Sequence, residues 1–114
     1  FTVSGPGTTG GLEAAEAGGA KVVGYAMDWY DDAPAATLTS LIVDKKRMYV
    51  DMANQFLGGT LEKKMVMCGP EYFTIADFRG TLEQGIIDEI TVLFNKLKSG
   101  EIVIPEVLHP EITP

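Results

Sequence analysis

Phe1-Thr2-Val3-Ser4-Gly5-Pro6-Gly7-Thr8-Thr9-Gly10-Gly11-Leu12-Glu13-Ala14-Ala15-Glu16-Ala17-Gly18-Gly19, followed by Lys21-Val22-Val23-Gly24-Tyr25-Ala26-Met27-Asp28, is the stretch that decides how this chain is read. Residues 1 to 4 are apolar and β-branched, as in a strand. A glycine-rich turn follows, and Leu12 to Ala17 favours helix until Gly18-Gly19 stops it. Lys21 to Met27 is a second apolar run of strand length, closed by the polar turn chemistry of Asp28, Asp31, Asp32 and Pro34. Strand, helix and strand in that order make a βαβ unit, the building block of parallel α/β sheets.

Working outward, Thr37 to Val43 reads as a third strand, and Asp44 is placed to cap the helix after it. In that helix Met48, Tyr49, Met52, Ala53, Phe56 and Leu57 recur at spacings of three and four until Gly58-Gly59. Lys64 to Cys68 forms a fourth short strand before Gly69-Pro70. Thr81 and Gln84 are spaced as a capping box for a last helix, with Glu83, Asp88 and Glu89 early and Lys96 and Lys98 late, the charge order its dipole favours. Its apolar stripe is Ile86, Ile90, Leu93, Phe94 and Leu97. Ile102-Val103-Ile104 is expected as a small strand. The pattern predicts an α/β domain, three-layer α/β/α with a mostly parallel sheet, over residues 1–105. An extended tail, 106–114, holds the last two of the six prolines.

The 114 residues, 46% hydrophobic and 22% charged, suffice for one domain and no more. Nine Lys and Arg stand against sixteen Asp and Glu, a formal charge of −7 without a basic stripe. Nucleic-acid binding relies on clustered cations, so no nucleic-acid partner is expected. No apolar run is long enough for a membrane span and no signal peptide is present. The chain starts at Phe1 in what reads as a strand, so it is expected to be a piece of a longer protein. One cysteine, Cys68, rules out an internal disulfide and a multi-thiolate metal site.

Gly5-x-Gly7-x-x-Gly10 lies between a strand and a helix, and Asp28 ends the next strand. That arrangement formally satisfies the dinucleotide fingerprint, in which helix N-terminal amides face a pyrophosphate and the acid holds a ribose diol. Such glycines are equally what any tight βα turn needs. Open α/β sheets hold small molecules at the carboxyl ends of their strands. Asp28 is therefore the prime ligand contact, with Trp29 as a stacking aromatic, while Asp31 and Asp32 are expected to face solvent. Tyr72 and Phe73 follow Gly69-Pro70 at another strand end, and Tyr72 joins the candidate site. The acidic loop has too few regularly spaced oxygens for calcium. Cys68 and the lone His109 have no catalytic partner nearby in sequence, so no catalytic residue, metal or cofactor is expected.

With these residues in place, the order of motifs resembles the C-terminal part of the basic membrane protein (BMP) family of ABC-transporter solute-binding lipoproteins, which have the type I periplasmic-binding-protein fold. The likeness is carried by Ser4 to Ala15, by Val23-Gly24-Tyr25-Ala26-Met27-Asp28, by Leu38-Thr39-Ser40 with the helix from Asp44, and by Ser99-Gly100-Glu101-Ile102-Val103-Ile104-Pro105. The resemblance implies that this chain is less than half of a two-lobed receptor, with residues 44–60 packing on the other lobe. It implies non-enzymatic binding of a nucleoside or related polar heterocycle, by cleft closure, for import. Gly5, Gly7, Thr8, Asp28, Trp29 and Tyr72 would line the site, and Thr39 and Ser40 would be the hinge. The implied partners are a small-molecule solute, an ABC permease and the remainder of the receptor. The implied location is extracytoplasmic, lipid-anchored or periplasmic. Ala26, Val43 and Glu71 stand where many members carry an acid and two lysines. The alternatives are a dinucleotide-binding oxidoreductase fragment using the glycine turn, and a ligand-sensing regulatory domain of the same fold.

Overall fold

The computed structural model describes residues 7–62 and 69–105. Among the described residues three helices and three strands run in the order α1 (Thr8–Ala17), β1 (Val22–Ala26), β2 (Thr37–Val43), α2 (Lys45–Leu57), a 3-10 turn (Pro70–Tyr72), β3 (Phe73–Ile75) and α3 (Gln84–Ser99). The strands form one mixed sheet with β2 in the middle. β1 pairs with β2 in parallel, Val23 opposite Thr39 and Ala26 opposite Ile42. β3 pairs with β2 antiparallel, Leu41 opposite Ile75 and Val43 opposite Phe73. The fold is thus mixed α/β, and the expectation of a mostly parallel three-layer sheet is corrected: one of its two strand pairings is antiparallel. The strands expected at residues 1–4 and 64–68, with Gly5, Cys68, His109 and the tail, lie outside the described residues.

α1 begins at Thr8 rather than Leu12, so Gly10 and Gly11 belong to its first turns and not to a loop. What holds this weak helix former in place is Leu12, fully buried among Val22, Ala33 and Ala36, with Ala15 and Trp29 packed against them. Two polar ties reinforce that contact. The Ala35 amide donates to Glu16 Oε1 at 2.9 Å, and Lys21 Nζ donates to the Ala35 carbonyl at 2.6 Å. Glycine in a helix costs about 1 kcal/mol relative to alanine, a deficit within reach of one buried leucine.

α2 starts where its cap was expected, with Asp44 Oδ1 accepting from the Arg47 amide at 2.9 Å. α3 does not have the expected capping box. Its N-cap is Glu83, which makes no side-chain cap bond. Thr81 Oγ1 is engaged elsewhere, 2.8 Å from the Leu38 carbonyl and 2.7 Å from that of Phe78, and Gln84 donates to Asp88 along the helix. Those bonds tie the residue 78–81 turn to the start of β2. The inward side of α3 carries Ile87, Ile90, Phe94 and Leu97, while Ile86 and Leu93 of the expected stripe are exposed. Residues 102–104 form no strand. Neither α2 nor α3 buries a residue completely. The core is correspondingly small: Leu12, Val22, Ala33, Ala36, Ala76 and Phe78 are the buried apolar side chains among the described residues.

Candidate functional site

The loop leaving β1 turns back over the sheet face because of three residues, Gly24, Ala26 and Trp29. Gly24 leaves room for Trp29: a Cβ there would collide with Ser40 Oγ and lie 2.7 Å from Trp29 Cδ1. Trp29 fills that space, its Nε1 donating to the Tyr25 carbonyl at 2.9 Å and its amide to Ser40 Oγ at 3.1 Å. Ala26, the last residue of β1, takes φ +73°, in the left-handed region that alanine disfavours. The result presents Asp28 at the rim of the sheet.

Asp28 is not free there. Arg79 Nη2 lies 2.5 Å from its Oδ2 and Nη1 3.5 Å from Oδ1, a two-pronged ion pair across 51 residues of sequence. The guanidinium carbon sits 4.2 Å from the centre of the Tyr30 ring, so the cation is held between a carboxylate and an aromatic face. Tyr30 also donates its amide to Asp28 Oδ1 at 3.2 Å. The hydrogen bond from Arg79 is the main reason the Asp28 carboxyl is held below its ordinary 3.8, against the opposing pull of partial burial. Arg79 itself has φ +49°, steadied by its amide bond to Asp77 Oδ1 at 2.9 Å. Ala26 and Arg79 are the non-glycine residues with positive φ among the described residues; Arg79 belongs to this pair and Ala26 lies two residues before Asp28. Such conformations cost on the order of 1 to 3 kcal/mol each and gather at functional sites.

The remaining expected site residues separate. Gly7 caps α1 and Thr8 is buried, so neither offers Asp28 an open glycine-lined cleft. Trp29 is half-buried packing, not a free stacking platform. Tyr72 joins a different set: its hydroxyl donates to Asp51 Oδ2 at 3.1 Å, and Arg47 lies over its ring at 5.5 Å while donating to the Glu71 carbonyl at 3.3 Å. The bond to Asp51 pushes the Tyr72 hydroxyl above its usual value. Thr39 and Ser40 lie inside β2, not at its end, and Thr39 Oγ1 donates to the Ala76 carbonyl at 2.8 Å. A backbone rotation there would break pairing with strands on both sides. Arg79 is the residue sequence reading missed. An ion pair spanning 51 positions leaves no periodic signal, although an arginine beside a turn glycine, Gly80, marked a loop tip.

Two grooves run beside α3. One of about 380 Å³ lies along residues 74–78 and includes Ile87, Phe94 and Lys98. A more apolar one of about 270 Å³ is lined by Leu41, Pro70, Phe73, Phe94, Leu97 and Ile104. Neither contains Asp28. Among the described residues no three acids, histidines or cysteines are placed to hold a metal ion, and no helix is long and apolar enough to cross a membrane.

No family model matches the chain and no curated protein is significantly similar to it. Among solved structures, the crystal structure of a transcriptional activator of the comK gene from Bacillus halodurans superposes with a TM-score of 0.69 at 22% identity, over 82% of this chain and 34% of that chain. The chain therefore has the fold of about a third of that molecule. This neighbour overturns the resemblance to the BMP solute-binding lipoproteins and, with it, the expectations of transport, of nucleoside import and of a permease partner. The expectation of no nucleic-acid partner, drawn from the acidic balance and the lack of a basic stripe, is overturned by the same finding.

Proposed function

We propose that the chain is a regulatory portion of a transcriptional activator, non-enzymatic, with the Asp28–Arg79 pair as its responsive element. The observation that carries this reading is the fold likeness to a transcriptional activator over most of the chain. The chemistry of the site agrees with it. A general acid or base works best with a pKa near the working pH, whereas Asp28 is pushed the other way by Arg79. A carboxylate that is ionised at neutral pH suits recognition: it accepts hydrogen bonds from hydroxyl or ammonium groups, and a small polar molecule that brings such donors competes with Arg79.

The test is genetic. Deleting the gene that encodes this chain and profiling transcripts should lower a reproducible set of messages, which the wild-type gene restores and an Arg79→Ala gene restores only in part. An unchanged transcript profile after deletion removes the regulatory reading. Full restoration by Arg79→Ala removes the role given to the ion pair.

A further inference from the structure

We infer that the outward face of α2 is a self-association surface, on which a second copy of the chain docks its own α2 antiparallel about a two-fold axis. α2 touches the body of the protein through Met48, Asp51 and Met52, which are half-buried. The opposite side carries Lys46, Tyr49, Val50, Ala53, Phe56 and Leu57, within an arc of roughly 120° at 100° per residue. Tyr49, Val50, Phe56 and Leu57 are 64%, 50%, 71% and 81% exposed. A contiguous apolar stripe turned to solvent marks an interaction surface.

Charge selects the occupant. α2 has Lys45, Lys46 and Arg47 in its first turn, no acid there beyond the capping Asp44, and no cation in its last turn. This order opposes the helix dipole, whose positive end is the N-terminus. Arg47 is partly neutralised by Asp51, 3.6 Å away, but Lys45 and Lys46 form no ion pair among the described residues. An antiparallel copy of the same helix brings its negative C-terminal end alongside those lysines, and the two-fold does so twice. With Ala53 at the axis, where its small side chain lets the helices approach, Tyr49 faces Leu57 of the second copy and Lys46 lies opposite its position 60, just past the carbonyl end of that helix. α3 lacks this unmet need: its Lys96 and Lys98 already complement its own C-terminus. The inference does not rest on a role in transcription, and the transcript experiment stands if it fails.

Sedimentation of the full 114-residue chain over a wide micromolar range should show a reversible dimer. Leu57→Lys and Phe56→Lys, which remove apolar surface and add like charge beside Lys46 of the second copy, should weaken it at least tenfold while leaving the far-ultraviolet circular dichroism unchanged. Oxidation of Ala53→Cys in a Cys68→Ser background should give a disulfide-linked dimer, whereas Lys46→Cys, far from its own copy in the antiparallel arrangement, should not. The cross-linking pair also decides the matter if the charged variants fail to fold. A chain that stays monomeric at high concentration, a dimer indifferent to Leu57→Lys, or cross-linking at Lys46→Cys instead of Ala53→Cys overturns the proposal.

Discussion

Asp28, singled out by local turn chemistry, takes its state from a partner that the sequence does not display. Its place after β1 follows from the turn chemistry of Asp28, Asp31, Asp32 and Pro34. Its state follows from Arg79, which no local pattern announces. Because Arg79 lowers the folded-state pKa of Asp28, the pair stabilises the protein above the unfolded value, and that contribution disappears as pH falls through the lower folded value. Thermal melts should therefore lose stability below about pH 4 more steeply in the wild type than in Asp28→Asn. Parallel curves would mean the pair adds nothing. Both side chains are 31% exposed, so salt should erode the same difference. Gly24 makes a second residue-scale prediction. Gly24→Ala forces its methyl against Ser40 and Trp29, an overpacking that costs about 1 to 3 kcal/mol. Urea titration should show that loss, and Trp29, the chain's single tryptophan, should report a more solvated ring; an unshifted midpoint would contradict the packing described.

At the scale of elements, legibility tracked how local the determining signal was. β1, β2 and α2 were readable because an apolar run, a cap or a glycine pair sits within or beside each. β3 was not, since Phe73-Thr74-Ile75 is three residues long and is a strand only because β2 offers it an edge. Residues 102–104 have better strand composition and yet form none, because no described strand pairs with them. The capping box at Thr81 and Gln84 had the right spacing, but the threonine hydroxyl found the Leu38 carbonyl, a partner 43 residues away. That vacancy leads to a gain-of-stability prediction. Glu83 has extended backbone geometry at the N-cap of α3 and makes no cap bond, so Glu83→Ser should raise stability by about 0.5 to 1 kcal/mol in chemical denaturation. The converse holds at α2, where Asp44→Ala should lower it by about 1 kcal/mol through loss of the bond to the Arg47 amide. If both variants behave alike, the two N-caps are not differentiated as described.

For the molecule as a whole, the small core and the partly covered helices fix an order of local stability. β2 is the one strand of the described sheet hydrogen-bonded on both sides. Thr37 and Ser40 are almost wholly buried within it, and Thr39 reaches across to Ala76. Amides in such a strand open only with global unfolding, whereas elements with few buried apolar contacts open on their own. α2 and α3 bury no residue fully and meet the body along single faces. Native-state hydrogen exchange should therefore find the slowest amides in 37–43, with 45–57 and 84–99 exchanging earlier despite their regular helical hydrogen bonding. Raising the protein concentration should slow exchange in 45–57 selectively if a second copy covers that face, and should leave 84–99 unchanged. Exchange slowest in α2 at low concentration would mean that its stability comes from within one chain, which neither its exposed stripe nor its reversed charge order can supply.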